Sequence, residues 1–424
     1  MKLKHSLTLF LLIGIGINSA VCVAQSTSMN LQQNKNPMDI GISALFATGV
    51  ASKGNNTISN LQGGGHDPSK IGFTLQNLEL TLGGAVDPFF DAQTNIIMLL
   101  NDEGEAILEI EEAYLLTKQL PAGLQIKAGQ FYTEFGRQNK LHPHSWAFVD
   151  QPIVLSRLLG GDGLRSQGAR ISWLSSLPWY AELFFGIQNA KGATGSSFLS
   201  AGHGHDDHAD EDSGEETSEY PINGPEDFLY TLRWLNGLDL NDNISANFGV
   251  SGVWGPNANG VGTENDLRTA IYGADLYLKW QAENSSRGFP FISWHTEFLF
   301  RNFQETHEEE EEDHSGHTHA EGDHAEEIID RKDYGWFSQI SYGFKPGWVA
   351  GLRLEMADSN EEDDHAINGD ERFRTALNLT WLPTEFSKIR LQYNYDHAHH
   401  VGEAVHLVWL QFEYNLGSHA AHVF

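Results

Sequence analysis

Two tracts of this chain combine imidazoles and carboxylates at spacings that can hold a metal ion. His203, His205 and His208 lie in AGHGHDDHADEDSGEE, and His307, His314, His317, His319 and His324 lie in ETHEEEEEDHSGHTHAEGDHAEE. Imidazole nitrogen suits zinc, copper or nickel, whereas carboxylates alone favour magnesium or calcium. In an extended H-x-H the two rings project to one side and can share an ion at about 2.0–2.1 Å per bond. Acidic neighbours orient the rings and concentrate cations around them. Such composition cannot bury a core, so both tracts are expected to be loops that lack order without metal. The expected ligand is a divalent ion, zinc favoured; the plainer reading is a solvated acidic loop that happens to contain histidine.

A second group of residues sits in 133–164, a long segment with Trp146, Phe148, Ile153, Val154 and Leu155 and none of the charge runs of the tracts above. A loop this apolar is expected to leave solvent and fold inward. His142, His144 and Asp150 would then form a metal station, with Arg157, Asp162 and Arg165 setting the local field; alternatively these polar groups pin the loop to its surroundings by hydrogen bonds and ion pairs. His397, His399 and His400 form a third, smaller set of mouth ligands, while His66 and His365 read singly as ordinary surface. Catalysis finds little support: there is no HExxH, no nucleophile elbow and no phosphate-cradling loop. Ser145 beside His144 says nothing of triad geometry, so no enzyme activity is expected.

What positions these residues is a repeated strand pattern. In 386–397, FSKIRLQYNYDH, Ile389, Leu391, Tyr393 and Tyr395 alternate with Lys388, Arg390, Gln392, Asn394 and Asp396. A period of two gives one greasy and one wet face. Sixteen such segments run from 40 to 416, with no helical partner to cover the apolar face. The pattern predicts an all-β transmembrane antiparallel barrel of about 16 strands, lipid outside and water inside. Short turns should follow even-numbered strands and outward loops the odd-numbered ones. The longest loops are then 133–164, 189–226 and 304–332. A receptor barrel of about 22 strands with a plug would need more chain, and a soluble sandwich would need a dry core where these strands carry Arg, Lys, Glu and Gln.

The flanks and the charge agree with export. Lys2 and Lys4 precede an apolar run over 7–17, and Cys22-Val23-Ala24 offers small residues for cleavage. The expected division is a signal peptide over 1–24, a flexible segment over 25–39 and the barrel over 40–424. Cleavage removes the only cysteine, leaving no disulfide chemistry. The terminal Phe424 suits an insertion signal read by the outer-membrane assembly machinery. A net charge of −31 argues against nucleic acid. Segments 203–219 and 305–327 hold 8 and 11 carboxylates with no Lys or Arg, so the acidity belongs mainly to loops.

One stretch carries a family resemblance. Residues 126–140 read IKAGQFYTEFGRQNK and 141–173 read LHPHSWAFVDQPIVLSRLLGGDGLRSQGARISW. The GQF…FG element resembles the strand and turn of phosphate-selective-type porins, and HPHSW with FVDQP resembles a zinc-linked group with His-rich outer loops. The resemblance implies a passive, non-enzymatic channel in outer-membrane lipid that passes small ions or solutes, assembled as a homotrimer. Phosphate-selective porins cluster basic residues in the pore. Here Arg170, Arg233, Arg301, Arg353, Arg374, Lys388 and Arg390 are mixed with Glu182, Asp275, Glu297, Glu355 and Glu413. The expected function is passive entry of divalent metal gathered at the outer loops. The alternatives are a general or anion-preferring porin whose loops buffer metal, and a surface metal-binding protein with a blocked barrel.

Overall fold

A computed structural model describes residues 38–61, 63–100, 104–118, 120–191, 194–199, 222, 224–260, 266–307, 327–359 and 371–417. The first half holds β1 (Asp39–Ala51), α1 (Asn55–Ser59), β2 (Gly72–Ala85), β3 (Phe90–Leu100), β4 (Ala106–Thr117), β5 (Leu124–Tyr132), α2 (Ile153–Leu159), β6 (Arg165–Leu174), β7 (Tyr180–Asn189) and β8 (Phe228–Asn241). The second half holds β9 (Ile244–Pro256), β10 (Arg268–Ser286), β11 (Phe289–His307), β12 (Glu327–Lys345), β13 (Trp348–Ser359), β14 (Arg372–Thr384), β15 (Ser387–Ala398) and β16 (Val405–Gly417). Each strand pairs antiparallel with its successor, and β16 closes on β1 with Gly41 opposite Gly417. The result is a closed sixteen-stranded barrel, as the alternation predicts. Among the described residues closure leaves no edge strand, although β4 meets β5 over only Ala113–Leu116.

The two faces of this wall are inverted relative to a soluble protein. On β15, Lys388, Arg390, Gln392, Asn394 and Asp396 are buried, while Leu391 is 50% exposed. On β14, Arg372 and Arg374 are buried, whereas Phe373, Leu377, Leu379 and Trp381 face out. Polar side chains therefore point into the barrel and apolar ones away from it. Trp348 and Trp381 stack at 5.9 Å on the outside, near the end where the short turns lie.

Connection lengths follow the expected parity. Joins after even strands are short, as at 242–243, 346–347 and 385–386, and the long ones, 133–164 and 190–227, follow odd strands. Some boundaries differ from the sequence reading. β11 and β12 stay paired out to His307 opposite Glu327, so 304–307 and 327–332, expected as part of the acidic loop, are strand. The turns expected over 236–242 and 281–290 are likewise mostly strand, and β1 begins one residue before the expected 40. The reason is that ladder hydrogen bonds join backbones. They continue past the residues whose apolar alternation marks a strand in sequence. The signal-peptide and flexible-segment assignments over 1–37 lie outside the described residues, as does Phe424.

Two loops fold back inside. α2 opens after Pro152 and stops at Gly160, whose φ of 99° suits glycine. Seven residues cannot hold a helix alone. Its Ile153, Val154, Leu155, Leu158 and Leu159 pack with Phe337 of β12, Leu299 of β11 and Ala357 of β13, an apolar core inside the barrel. Gly335 on β12 makes the approach feasible: a Cβ there would lie 2.7 Å from Val154 Cγ2. Loop 52–71 joins a second cluster, in which Ile58 and Leu61 meet Val149 and Trp409.

Candidate functional site

The inward loop 133–164 is stitched across the lumen by wall side chains that bond its backbone. Glu297 of β11 accepts from the amides of Arg137 and Gln138 at 2.8 and 2.7 Å. Three and four strands further round, on β14 and β15, Lys388 Nζ donates to His144 O at 2.8 Å, Arg390 to Trp146 O at 2.9 Å and Asn378 to Ala147 O at 2.9 Å. Glu355 accepts from the Ile153 amide at 2.7 Å. Buried peptide groups of an irregular segment need such partners. The polar inner face supplies them.

Asp150 is the main side-chain anchor. It pairs with Arg353, lies 3.3 Å from Arg374, and accepts from Gln392 at 2.9 Å and Asn394 at 2.6 Å. Burial would raise this carboxyl, but Arg374 and Arg353 together hold it well below the usual range. Most inner charges are balanced in the same way: Arg233 with Asp275 at 2.7 Å, Arg170 with Glu134 at 2.7 Å, Arg374 with Glu355 at 2.6 Å and Lys388 with Glu413.

His142 and His144 meet a different environment. Their rings stack at 5.8 Å; His142 faces carboxylates of β2 and β4, and His144 one of β2. His142 Nδ1 is 2.7 Å from Glu111 Oε2 and 3.4 Å from Glu79 Oε1, and its Nε2 is 3.0 Å from Glu112 Oε2. His144 Nδ1 is 3.0 Å from Glu79 Oε2. Burial alone would lower the His142 imidazole, but the Glu111 and Glu79 carboxylates raise it well above its ordinary value. Glu111 is also held by the Tyr132 hydroxyl, and Glu79 by Asn95 and, at 3.1 Å, Thr81.

Two β-bulges build this corner. Asn95 faces Glu112 and Ile96 faces Ile110, so Glu111 is the extra residue of β4. Strict alternation would turn Glu112 away from the side Glu111 faces; the bulge buries both. Gln76 is the extra residue of β2, three positions before Glu79. Bulges recur where a side chain must be re-aimed. None of Glu79, Glu111 and Glu112 is expected at a site from the sequence. The available signal is the pair Glu111-Glu112 itself, because two adjacent acids cannot both take the wet face of a regular strand.

The expected station thus divides. His142 and His144 come together, whereas Asp150 is bonded to the β13–β15 wall and is no part of their cluster: the arginines there capture it. Asp162 and Arg165 adjoin the histidine corner, Arg165 beside Glu109 and 3.7 Å from Glu111, and Asp162 3.6 Å from His66 Nε2. Arg157 is buried within α2. His66, expected at the surface, is 2% exposed, because loop 52–71 packs inward and Gln76 bonds its carbonyl. His397 lies on β15 with its side chain on the exposed outer face, not in the loop. His399 and His400 form the turn after it, His400 3.0 Å from Asn60 O. His307 ends β11. His203, His205, His208, His314, His317, His319, His324 and His365 lie outside the described residues.

Comparison with known proteins places this architecture. The anion-selective porin of Comamonas acidovorans superposes with a TM-score of 0.52 at 9% identity, covering 89% of this chain and 99% of that one. The fold is a porin fold. The outer-membrane channel DcaP of Acinetobacter baumannii aligns at 0.53 and 12% identity over 89% of this chain and 97% of that one. Salmonella typhi OmpF, in a complex with daunomycin, aligns at 0.52 and 10% identity over the same shares. In sequence, an uncharacterized protein of Aquifex aeolicus is 29% identical over 377 residues, 85% of this chain and 73% of that one. No family model matches the chain. The shared fold accounts for the closed wall; the inward loop and the Glu79–Glu111–His142 corner are described from this chain's own residues.

Proposed function

We propose that this protein is a porin-like channel of the bacterial outer membrane that gathers divalent metal, zinc favoured, at its His/Asp/Glu-rich outer loops and lets it enter passively. The observation that carries this reading is the inverted barrel wall: apolar side chains outside, buried charges inside, and long loops at one rim. Lipid can solvate such an outside and water such an inside. Export by an N-terminal signal, assembly by the outer-membrane machinery and a homotrimeric state belong to the same reading, by family resemblance. The outer face offers a direct check. Leu377 is 50% exposed on β14, and Leu377→Arg should cost about 2–4 kcal/mol near the bilayer midplane. Urea titration in phospholipid vesicles measures this; an unchanged midpoint removes the membrane from the account.

Weak, solvent-exposed ligands at a mouth suit capture because transport requires release. Zinc flux into liposomes, normalised to a small neutral solute, should fall several-fold when 203–219 and 308–326 are deleted. The loop-dependent share should also fade as pH falls through about 6.5, since protonated imidazole has no lone pair for the metal. Equal normalised flux with and without the loops ends the capture role. An anion-preferring channel is the second reading, favoured by Arg353, Arg372, Arg374, Lys388 and Arg390 on one wall. Arg353 and Arg374 share Asp150 and Glu355, Arg372 pairs with Asp396 and Lys388 with Glu413, which blunts that positive field. Reversal potentials in a planar bilayer separate the two.

A further inference from the structure

We propose that Glu79, Glu111 and His142 form a divalent-cation site of the zinc class that clamps the inward loop to the β2–β4 wall. The site goes beyond the outer-loop capture role and stands or falls separately from it. One ligand atom from each residue lies within 4.8 Å of the others. Metal bonds of 2.0–2.1 Å at a tetrahedral angle place ligand atoms about 3.3 Å apart. His142 Nδ1 and Glu79 Oε1 stand at 3.4 Å, and His142 Nδ1 and Glu111 Oε2, at 2.7 Å, need to part by only about 0.6 Å.

The hydrogen-bond pattern points the same way. Glu112 is an acceptor at His142 Nε2, so Nε2 carries a proton and Nδ1 is the atom turned to Glu79 and Glu111. A carboxylate on the remote nitrogen is the usual partner of a metal-bound imidazole. Although they stand 2.7 Å apart at ion-pair distance, neither His142 Nδ1 nor Glu111 Oε2 has an aligned hydrogen-bond partner; besides Glu111, Nδ1 faces Glu79 Oε1 at 3.4 Å. The Glu111 side chain is fully buried. A divalent ion at the point on which Nδ1 and the Glu111 oxygen converge would displace the Nδ1 proton and take up the lone pair it frees. The would-be ligands are braced as well, Glu111 by Tyr132 and Glu79 by Asn95, Thr81 and His144.

Charge distinguishes this corner from most of the buried acids inside the barrel, Glu297 with His295 being another imidazole-paired carboxylate. Asp150, Asp275, Glu355 and Glu413 each have an Arg or Lys at ion-pair distance. Glu79, Glu111 and Glu112 are gathered around imidazoles, and Arg165, 3.7 Å from Glu111, is engaged by Glu109. A dication would neutralise Glu79 and Glu111 with His142 neutral. The mixed oxygen and nitrogen set favours zinc over magnesium or calcium. Because β2 and β4 supply the carboxylates and the inward loop supplies the imidazole, occupancy would tie that loop to the wall.

Zinc alone, titrated calorimetrically against a competing chelator into the full-length refolded protein, tests the assignment. Wild type should show one tight equivalent above the weaker ones. Glu111→Gln should abolish it, and Glu112→Gln should weaken it by about 10–100-fold, with the weaker equivalents retained in both. If Glu111→Gln does not refold, as judged by heat-modifiable gel migration, Glu112→Gln decides. Absence of a tight equivalent in wild type overturns the site and leaves His142 as a histidinium balancing its carboxylates. A tight equivalent that survives in the variants, or that vanishes only when 203–219 and 308–326 are deleted, overturns it too. Loop-independent flux with this equivalent intact would sink the capture role alone.

Discussion

Asp150→Ala should free the inward loop from the β13–β15 wall while the barrel stays closed. Asp150 sits between two guanidiniums and two amides, pairing with Arg353 and Arg374 and accepting from Gln392 and Asn394. Its removal leaves Glu355 as the one carboxylate at ion-pair distance from both arginines, which keep only their bonds to the carbonyls of residues 150 and 151 on the loop. Losing one member of a buried ion pair costs about 3–5 kcal/mol. The strand ladder does not pass through Asp150, so the loss falls on the loop. Trypsin should cut near Arg137, Lys140 or Arg157 in the variant and not in wild type, and bilayer conductance should rise. Asp150→Asn, which keeps the shape and an acceptor oxygen, should lie between the two. A variant loop as protected as the native one would show that the apolar contacts of α2 hold the segment unaided.

Those contacts carry the second large effect. Leu155→Ala should weaken docking of α2 by about 2–5 kcal/mol, the cost of a buried leucine plus the space it vacates. Leu155 is fully buried among Leu158, Phe337 and Ala357, inside the wall and away from lipid. Seven residues have too little helical stability of their own to compensate. In hydrogen exchange, amide protection across α2 should fall by about thirtyfold or more, each factor of ten being about 1.4 kcal/mol. Leu391→Ala is the matched control: that side chain is half exposed on the outer face and should change α2 protection little. Equal effects of the two would deny α2 an apolar core of its own.

How much of this was readable beforehand depends on the range of the interaction. Strand number, parity and the wet face follow from a period of two, which is local. Arg233, Arg353, Arg374, Lys388 and Arg390 were expected inside and are buried there. The inward turn of 133–164 followed from its apolar content, although α2 within it was not anticipated. Ile153, Val154, Leu155, Leu158 and Leu159 form a short run between Pro152 and Gly160 that reads as loop until a wall is present to pack against. His66 was misjudged as surface for the same reason, since its burial depends on loop 52–71 meeting loop 133–164.

From the sequence alone came the closed barrel, the inverted wall and the two histidine-bearing segments, because alternation and composition are properties of neighbouring residues. Which carboxylates His142 would meet was decided only by the tertiary structure. Glu79 and Glu111 are far from it along the chain, and their aim depends on bulges in β2 and β4 that shift the side-chain phase by one residue. Asp150 was drawn to Arg353 and Arg374, on β13 and β14, a different part of the wall. Charges pair with whatever the fold brings within a few ångströms. In a barrel, that neighbour can be two hundred residues away.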